Sequence, residues 1–375
     1  VFPLRLDMSG NYEILRDERI DARVDVPDVA ASQFHEAIPA LEAQGVTGEM
    51  GARVSISGSL RSPVVKSLVN LRGVAFAGKL GGNQVEVDGL DFSAAVDYRP
   101  PTHSRGGVQA TAQIDWQGQQ VFQATAETPA PLATWINALI DHPDRDFDWT
   151  RRMSSQPFSL SLKLQDLDLE DLPVEALAEA DAEGRVRVDV AARGTFENPS
   201  VALKAGVDDF GWNQYRDMYL DVDVEQQGDV LEVTKMRFEW DADEIFVASG
   251  TFPLPMSTLM GNEPLGQIPI DFKLQLRELP MSKLSAIDYR LAQIRGTLAG
   301  YVRASGSLRD PDVSGRVGLF NTELARGQNG TIAAEFGASD GQLRADAIVC
   351  RDTAQIIHAS ARVPANLDVV ELAGG

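Results

Sequence analysis

The chain is short of the residues from which most metal centres and nucleophilic sites are built. Its 375 residues hold one cysteine, Cys350, and four histidines. A disulfide framework and a multi-thiolate metal site are therefore excluded, and a His-rich site has little to draw on. Base is scarce beside acid: 34 Lys and Arg face 55 Asp and Glu, a formal net charge of −21, with a pI near 4.6. That balance repels a phosphate backbone and excludes nucleic acid as a partner. Aromatic residues make up only 7%, and the tryptophans do not cluster with basic residues, so no stacking platform for single strands is offered. No apolar run approaches the roughly 18 residues of a membrane span, and no basic-then-apolar leader is present. There is no G-x-S-x-G, no Walker Gly-Lys-Ser/Thr and no G-x-G-x-x-G opening a helix. His35-Glu36-Ala37-Ile38-Pro39 begins like a zincin helix but lacks the second His.

What is present points to strands. Glycine (32) and proline (19) are plentiful, and 43% hydrophobic with 24% charged residues is ordinary for a folding chain, which suits many short strands joined by turns. At roughly 150 residues per domain the length suggests two to three domains. The chain opens at Val1 and its close, Val369-Val370-Glu371-Leu372-Ala373-Gly374-Gly375, stops in mid-pattern. An internal piece of a longer protein is expected, with any anchor or signal outside it.

Aligning the chain with itself reveals a phrase that occurs three times: Gly, nine residues, Gly-Ser/Thr-Leu/Phe, two residues, Pro. The copies run from Gly48 to Gly58 and Pro63, from Gly184 to Gly194 and Pro199, and from Gly296 to Gly306 and Pro311. Arg185 to Val190 alternates at period two before the Gly-Thr-Phe-x-x-Pro break, and Val201 to Lys204 resumes it, which predicts a β-hairpin with a defined corner. A short helix is predicted ahead of each first glycine, over Val29 to Gln44, Pro173 to Glu183 and Pro280 to Gln293, with Asp28, Asp171 and Ser282 as capping or first-turn polar groups. Each copy closes on a related phrase, Ala124-Thr125-Ala126, Ala248-Ser249-Gly250 and Ala359-Ser360-Ala361. Three units are expected at 20–131, 158–255 and 269–367, joined by a helical and loop connector at 132–157 and a second connector at 256–268. Residues 1–19 would end a preceding repeat and 368–375 would begin the next segment.

Several strands carry one apolar and one polar face. Leu160, Leu162 and Leu164 alternate with Ser159, Ser161 and Lys163; Leu220, Val222 and Val224 with Asp221, Asp223 and Glu225; Phe272, Leu274 and Leu276 with Asp271, Lys273 and Gln275. The phase flips between Val233 and Met236, the signature of a bulge. Asp221 to Glu225 is read as a strand with an acidic outer face, since it lacks the glycine and spacing of a calcium loop. Cys350, following Ile348 and Val349, is read as a small buried or lumen-facing hydrophobe. Alternation alone also describes an ordinary sandwich core, but repetition with little helix favours an elongated array. The fold class expected is mainly β, an elongated, curved, repeat-built sheet. One short helix per unit cannot roof so many strands, so either the sheet folds over on itself or something apolar fills the trough.

The phrase strand, Gly-Ser-Leu-x-x-Pro-x-Val-x-Gly, strand is complete in Val302 to Val317 and resembles the repeats of the TamB and AsmA-like envelope proteins. The second copy keeps it through Asn198-Pro199-Ser200-Val201 without the later glycine, and the first departs further with Pro63-Val64-Val65-Lys66. The resemblance implies a periplasmic protein anchored in the inner membrane by a segment not present in this chain. Its sheet would curl lengthwise into an open, β-taco-like groove. Family members are associated with moving phospholipid between inner and outer membranes and, for TamB, with assembling outer-membrane proteins beside a BamA-like barrel. That barrel would meet a region outside this fragment.

On this basis the chain is expected to be non-enzymatic and without cofactors or metal, its partners being phospholipid acyl chains. The predicted lining is Val54, Ile56, Leu160, Leu162, Leu164, Val186, Val188, Val190, Leu220, Val222, Val224, Phe272, Leu274 and Leu276, with Gly58, Pro63, Gly194, Pro199, Gly306 and Pro311 shaping the repeat turns. Two alternatives stay open: an assembly surface that holds outer-membrane strands by strand addition, and an elongated structural repeat with a closed core.

Overall fold

The structure is a computed structural model that describes residues 7–13, 19–34, 46–59, 61–80, 83–100, 106–141, 154–172, 181–195, 198–213, 215–253, 268–287, 289–324, 328–339, 341–351 and 354–364. Nineteen strands belong to one antiparallel sheet that is not closed into a barrel, and strand order follows chain order. The mainly β class expected from the alternation is what the chain adopts.

After β1 (Asp7–Glu13), a set of six strands recurs. The first set is β2 (Arg19–Ala30), β3 (Thr47–Ser59), β4 (Ser62–Leu80), β5 (Asn83–Arg99), β6 (Gly107–Trp116) and β7 (Gln119–Thr128). The second is β8 (Phe158–Asp168), β9 (Glu183–Thr195), β10 (Asn198–Trp212), β11 (Tyr215–Gln227), β12 (Val230–Trp240) and β13 (Asp243–Pro253). The third is β14 (Pro269–Pro280), β15 (Thr297–Ser307), β16 (Pro311–Leu324), β17 (Gln328–Ser339), β18 (Gln342–Arg351) and β19 (Ala354–Pro364). Two compact units divide the contacts: Val1–Leu203 with Gly211–Gln214, and Lys204–Phe210 with Tyr215–Gly375. The division falls inside β10 rather than between repeats.

The recurrent glycines have a backbone reason. Gly48, Gly184 and Gly296 take φ of 121°, 127° and 127°, and their partners Gly58, Gly194 and Gly306 take 104°, 114° and 95°, a region that L side chains avoid. At the second glycine a Cβ would also strike the opposite strand, 2.5 Å from the Asn198 carbonyl oxygen at Gly194 and 2.9 Å from that of Asp310 at Gly306. The hydroxyl of the phrase closes the hairpin: Thr195 Oγ1 accepts the Asn198 N–H at 3.1 Å, and Ser307 Oγ accepts the Asp310 N–H at 3.1 Å. A third recurrence lies 25 residues after each first glycine, where Gly73, Asp209 and Asn321 take left-handed φ of 55°, 53° and 53°. In the first and third copies a register shift sits there, the mark of a bulge that re-aims the strand. The bulge predicted between Val233 and Met236 is also present.

Helix is sparse. In the first unit α1 (Leu132–Asp141) supplies the helical part of the connector expected at 132–157. Its orphan Ala133 N–H donates to the Tyr98 hydroxyl at 2.7 Å, and Asn137 Nδ2 donates to the Arg61 carbonyl at 3.1 Å. In the second unit α2 (Met281–Ile287) and a 3₁₀ turn at Tyr289–Gln293 fill the span predicted from Pro280 to Gln293. The helix expected from Val29 is corrected: Val29 and Ala30 are the last residues of β2, followed by a 3₁₀ turn at Ala31–Phe34. β-branched Val24, Val26 and Val29 suit a strand better than a helix, and Asp28 accepts from Arg72 Nη1 at 3.1 Å instead of capping. Residues 35–45, 173–180, 142–153, 254–267 and 365–375, on which parts of the predicted helices, connectors and terminal segments fall, lie outside the described residues, as does His35.

Burial concentrates beneath the helices. In the first unit Tyr98 and Trp135 are 3% and 4% exposed where α1 docks. In the second, Met218, Trp240, Ile245 and Leu279 form a buried cluster with Leu284 of α2 packed against it. Lys283 ties the helix down, donating to the Trp240 carbonyl and to Asp243 at 3.0 Å. Away from these points no large side chain among the described residues is fully buried.

Candidate functional site

Antiparallel partners directly opposite one another project from the same face, so the register can be followed from strand to strand. In the first unit one row runs Val24, Val54, Ser67, Val96, Ala110, Ala126, Leu160, Ala192 from β2 to β9. The next runs Val26, Ala52, Val69, Ala94, Ala112, Ala124, Leu162, Val190, and a third Met50, Leu71, Phe92, Ile114, Phe122, Leu164, Val188. Ile56 begins a fourth with Val65 and Tyr98, and Val186 stands opposite Leu167. In the first three rows Ser67 alone is polar. Seven strand-to-strand steps of about 4.8 Å make such a row roughly 34 Å long.

The second unit repeats the arrangement across β11 to β19. Leu220, Phe238, Phe246, Leu276, Gly300, Val317, Ala334, Ala347 and Ala359 form one row, and Val222, Met236, Ala248, Leu274, Val302, Gly315, Phe336, Ala345 and Ala361 form another. Val224, Val233, Gly250, Phe272, Ala304, Val313, Ala338, Leu343 and Val363 form the third. Gly300 faces Leu276 and Val317, while the other two glycines in these rows are matched to an aromatic ring across the ladder: Gly250 faces Phe272 and Gly315 faces Phe336. A Cβ on either would lie 2.7 Å and 2.6 Å from the ring atoms. Large beside small keeps the surface level and continuous.

All fourteen residues predicted as lining lie in these rows, and every one is half-buried. Val54, Ile56, Leu160, Leu162, Leu164, Val186, Val188 and Val190 share the face of the first unit. Leu220, Val222, Val224, Phe272, Leu274 and Leu276 share that of the second. Small residues of the rows such as Ala192, Ala248 and Ala338 are buried, but the large side chains of the predicted lining stay half-buried, unlike those of a closed core, which are fully enclosed. The strands β2, β4 to β7, β12, β13 and β15 to β19 were missed as contributors, those of β4 to β7 and β15 to β19 because alanine, glycine and serine carry much of their apolar phase. Their signal was the period-two placement of small residues opposite large ones.

The other face carries charge. Arg53 Nε donates to Asp25 at 2.6 Å, Lys235 to Asp221 at 3.3 Å, Arg277 to Glu244 at 2.9 Å and Arg303 to Asp271 at 3.2 Å. Arg23 and Arg53 hold the Asp25 carboxyl below its ordinary range, mainly through their hydrogen bonds. All but the part-buried Lys235–Asp221 pair are exposed, and exposed pairs contribute little stability; they keep this face wet. One break in it is a depression of about 250 Å³ in the second unit, where Tyr301 and Phe320 flank Gly318, Ala333, Ile348 and Cys350. Cys350 stands opposite Thr331, one step out of phase with Val349. It is therefore half-buried on the face opposite the apolar rows, and its expected lumen-facing position is corrected.

For chemistry the described residues offer little. They contain no group of three His, Cys, Asp or Glu side chains able to hold a metal, and no helix long and apolar enough to cross a membrane. A cleft of about 690 Å³ in the first unit, lined by Asp97, Arg99, Gln109, Glu127, Thr128 and Phe158, is charged, and its Asp97 is paired with Arg99 at 2.9 Å. Comparison with family models, with curated proteins and with solved structures finds no match to this chain.

Proposed function

We propose that the chain is a non-enzymatic segment of a periplasmic lipid bridge, its apolar rows forming the floor along which phospholipid acyl chains travel between inner and outer membranes. The observation that carries this is an apolar register that runs, in the row from Val26 to Val190, over eight consecutive strands of one unit and over nine strands of the other, with all fourteen predicted lining side chains half-exposed. An acyl chain extends about 15 Å, half of a ~30 Å hydrocarbon core, so each unit offers more than one acyl length of floor. At ~0.8 kcal/mol per methylene, a lipid with about 30 of them meets a barrier on the order of 20 kcal/mol in crossing water. A continuous apolar surface lowers that barrier without chemistry. Rows of similar Val, Leu and Ala residues also bind each position about equally, so no deep trap interrupts sliding. The resemblance of Val302 to Val317 to the TamB and AsmA-like repeats supports the same assignment and supplies the envelope setting.

The test is photo-crosslinking in both phases of one strand. A crosslinker at Leu162 or Leu274 captures phospholipid, while one at Lys163 or Gln275, on the opposite face, does not. Equal capture in both phases rejects an apolar floor. The second reading, an assembly surface for outer-membrane strands beside a BamA-like barrel, predicts protein rather than lipid at Leu162 and Leu274.

A further inference from the structure

The joints between consecutive six-strand sets are built alike. At β7–β8, Phe122 lies opposite Leu164, Ala124 opposite Leu162 and Ala126 opposite Leu160. At β13–β14, Phe246 lies opposite Leu276, Ala248 opposite Leu274 and Gly250 opposite Phe272. The acceptor edge therefore reads large apolar, x, Ala, Thr/Ser or similar, Ala/Gly, and the donor strand reads Leu/Phe-x-Leu-x-Leu. Small acceptor residues leave room for large donor ones, the complementarity that fixes register in a ladder. The last strand of the third set carries the acceptor half again, as Ile357-His358-Ala359-Ser360-Ala361. β19 pairs with β18 on one side, Ala359 opposite Ala347 and Ala361 opposite Ala345. On its other side no partner strand is found among the described residues. Every residue of β19 is exposed, including Ile356 at 48%, Ile357 at 55% and Val363 at 47%. In contrast Ala248, the equivalent of Ala359 at a completed joint, is 1% exposed.

We infer that the outer edge of β19, unpaired among the described residues, is a strand-docking site for the opening strand of a further repeat of this build. That strand carries Leu/Phe-x-Leu-x-Leu and lies antiparallel, with its middle leucine opposite Ala359. A second copy of the chain does not supply it, because its own strands of this pattern, β8 and β14, are paired on both sides. The occupant extends the apolar rows by one strand through Ile357, Ala359 and Ala361, and its main chain satisfies the open backbone groups of the edge. The inference stands on the two joints alone and does not depend on what the apolar face carries.

The probe is a synthetic peptide with the sequence of Pro269 to Leu279, added to the full chain carrying Cys350→Ser and Ala359→Cys. Versions with a single cysteine replacing Phe272, Lys273, Leu274, Gln275 or Leu276 are compared by disulfide formation under mild oxidation. The cysteine at Leu274 is expected to trap at least tenfold faster than those at Lys273 and Gln275. A peptide with the same composition and its apolar phase shifted by one residue is expected not to bind. Circular dichroism of the Ala359→Cys chain checks that the sheet is intact, and Ser360→Cys, one step off phase, serves as a second variant that should lose the preference for Leu274. No trapping at any position, or equal trapping at all five, overturns the docking site. Trapping of a second protein copy instead of peptide overturns the choice of occupant.

Discussion

Gly315 on β16 lies directly opposite Phe336 on β17, and a Cβ built on that glycine would come within 2.6 Å of the ring's Cζ and 2.6 Å of the Tyr301 carbonyl oxygen. The ring can swing; the carbonyl belongs to β15 and cannot move without its strand. Gly315→Ala is therefore expected to destabilise the second unit by about 1–3 kcal/mol. Gly337, next in chain to Phe336, offers the contrast: a Cβ there meets nothing nearer than the Val313 carbonyl oxygen at 3.9 Å. Gly337→Ala should be neutral or stabilising by up to about 1 kcal/mol, through the unfolded chain. Urea titration of both variants decides the matter, and equal losses would show that the Tyr301 carbonyl does not crowd Gly315.

The repeat turn makes a similar demand in the first unit. Gly194 has φ of 114°, and its Cβ would lie 2.5 Å from the Asn198 carbonyl oxygen. Gly118 has φ of 81° with open space around it. Replacing Gly194 with Ala is expected to cost about 2–4 kcal/mol, combining backbone strain with a main-chain clash. Gly118→Ala keeps only the strain, about 1–2 kcal/mol. Thermal melts of the two single variants should rank them in that order.

How far this architecture was legible from sequence can be traced residue by residue. Leu160, Leu162 and Leu164 announced a two-faced strand because bulky and polar residues alternate without exception, and the flip at Val233 to Met236 announced a bulge for the same reason. The paired glycines were found by their spacing, which their positive φ explains. The left-handed bulge residues were not found, because the same backbone state is filled by Gly73, Asp209 and Asn321, three different side chains that tolerate it. The helix read from Val29 failed where strand pairing with Met50 and Glu49 outweighed a weak local signal. The floor contributed by Ala94, Ala112 and Ala124 was hidden, since alanine declares no face until its cross-strand partner is known. Cys350 was misplaced because ordinary alternation puts it one step out of phase with Val349, which stands opposite Ile332 on the apolar face, and an apolar run of Ile348, Val349 and Cys350 gives no phase.

Tyr98 couples α1 to the sheet. Its hydroxyl accepts the Ala133 N–H at 2.7 Å, and burial pushes the phenol's pKa above its ordinary 10.0 despite that bond. Tyr98→Phe leaves the helix's N–H unsatisfied and should lose about 1–2 kcal/mol. With the folded pKa raised, the neutral phenol's contribution is fully present below pH 10 and is lost as pH rises through the folded value. The wild-type chain should therefore weaken more steeply than Tyr98→Phe above about pH 10. Parallel alkaline curves for the two would place Tyr98 outside the helix contact.

Asp25 gives the acid counterpart. Arg23 and Arg53 lower its pKa through hydrogen bonds to the carboxylate, so whatever the ladder contributes is present above the unfolded carboxyl pKa and fades as pH falls through the folded one. Asp25→Asn should flatten the acid limb of the stability curve slightly. The pair is exposed, and 0.5 M salt should remove most of the difference at a Debye length of about 4 Å. A difference that survives high salt would require a buried pair.

On the proposed function, the apolar rows hold phospholipid. Native mass spectrometry of the purified chain mixed with phospholipid tests it most directly, with Leu162→Asp and Lys163→Asp run side by side. Bound lipid is predicted in the unmodified chain and in Lys163→Asp, with at least a tenfold lower bound fraction in Leu162→Asp while its circular dichroism remains that of a β-sheet. Absence of lipid from the unmodified chain, or undiminished lipid in Leu162→Asp, would contradict it.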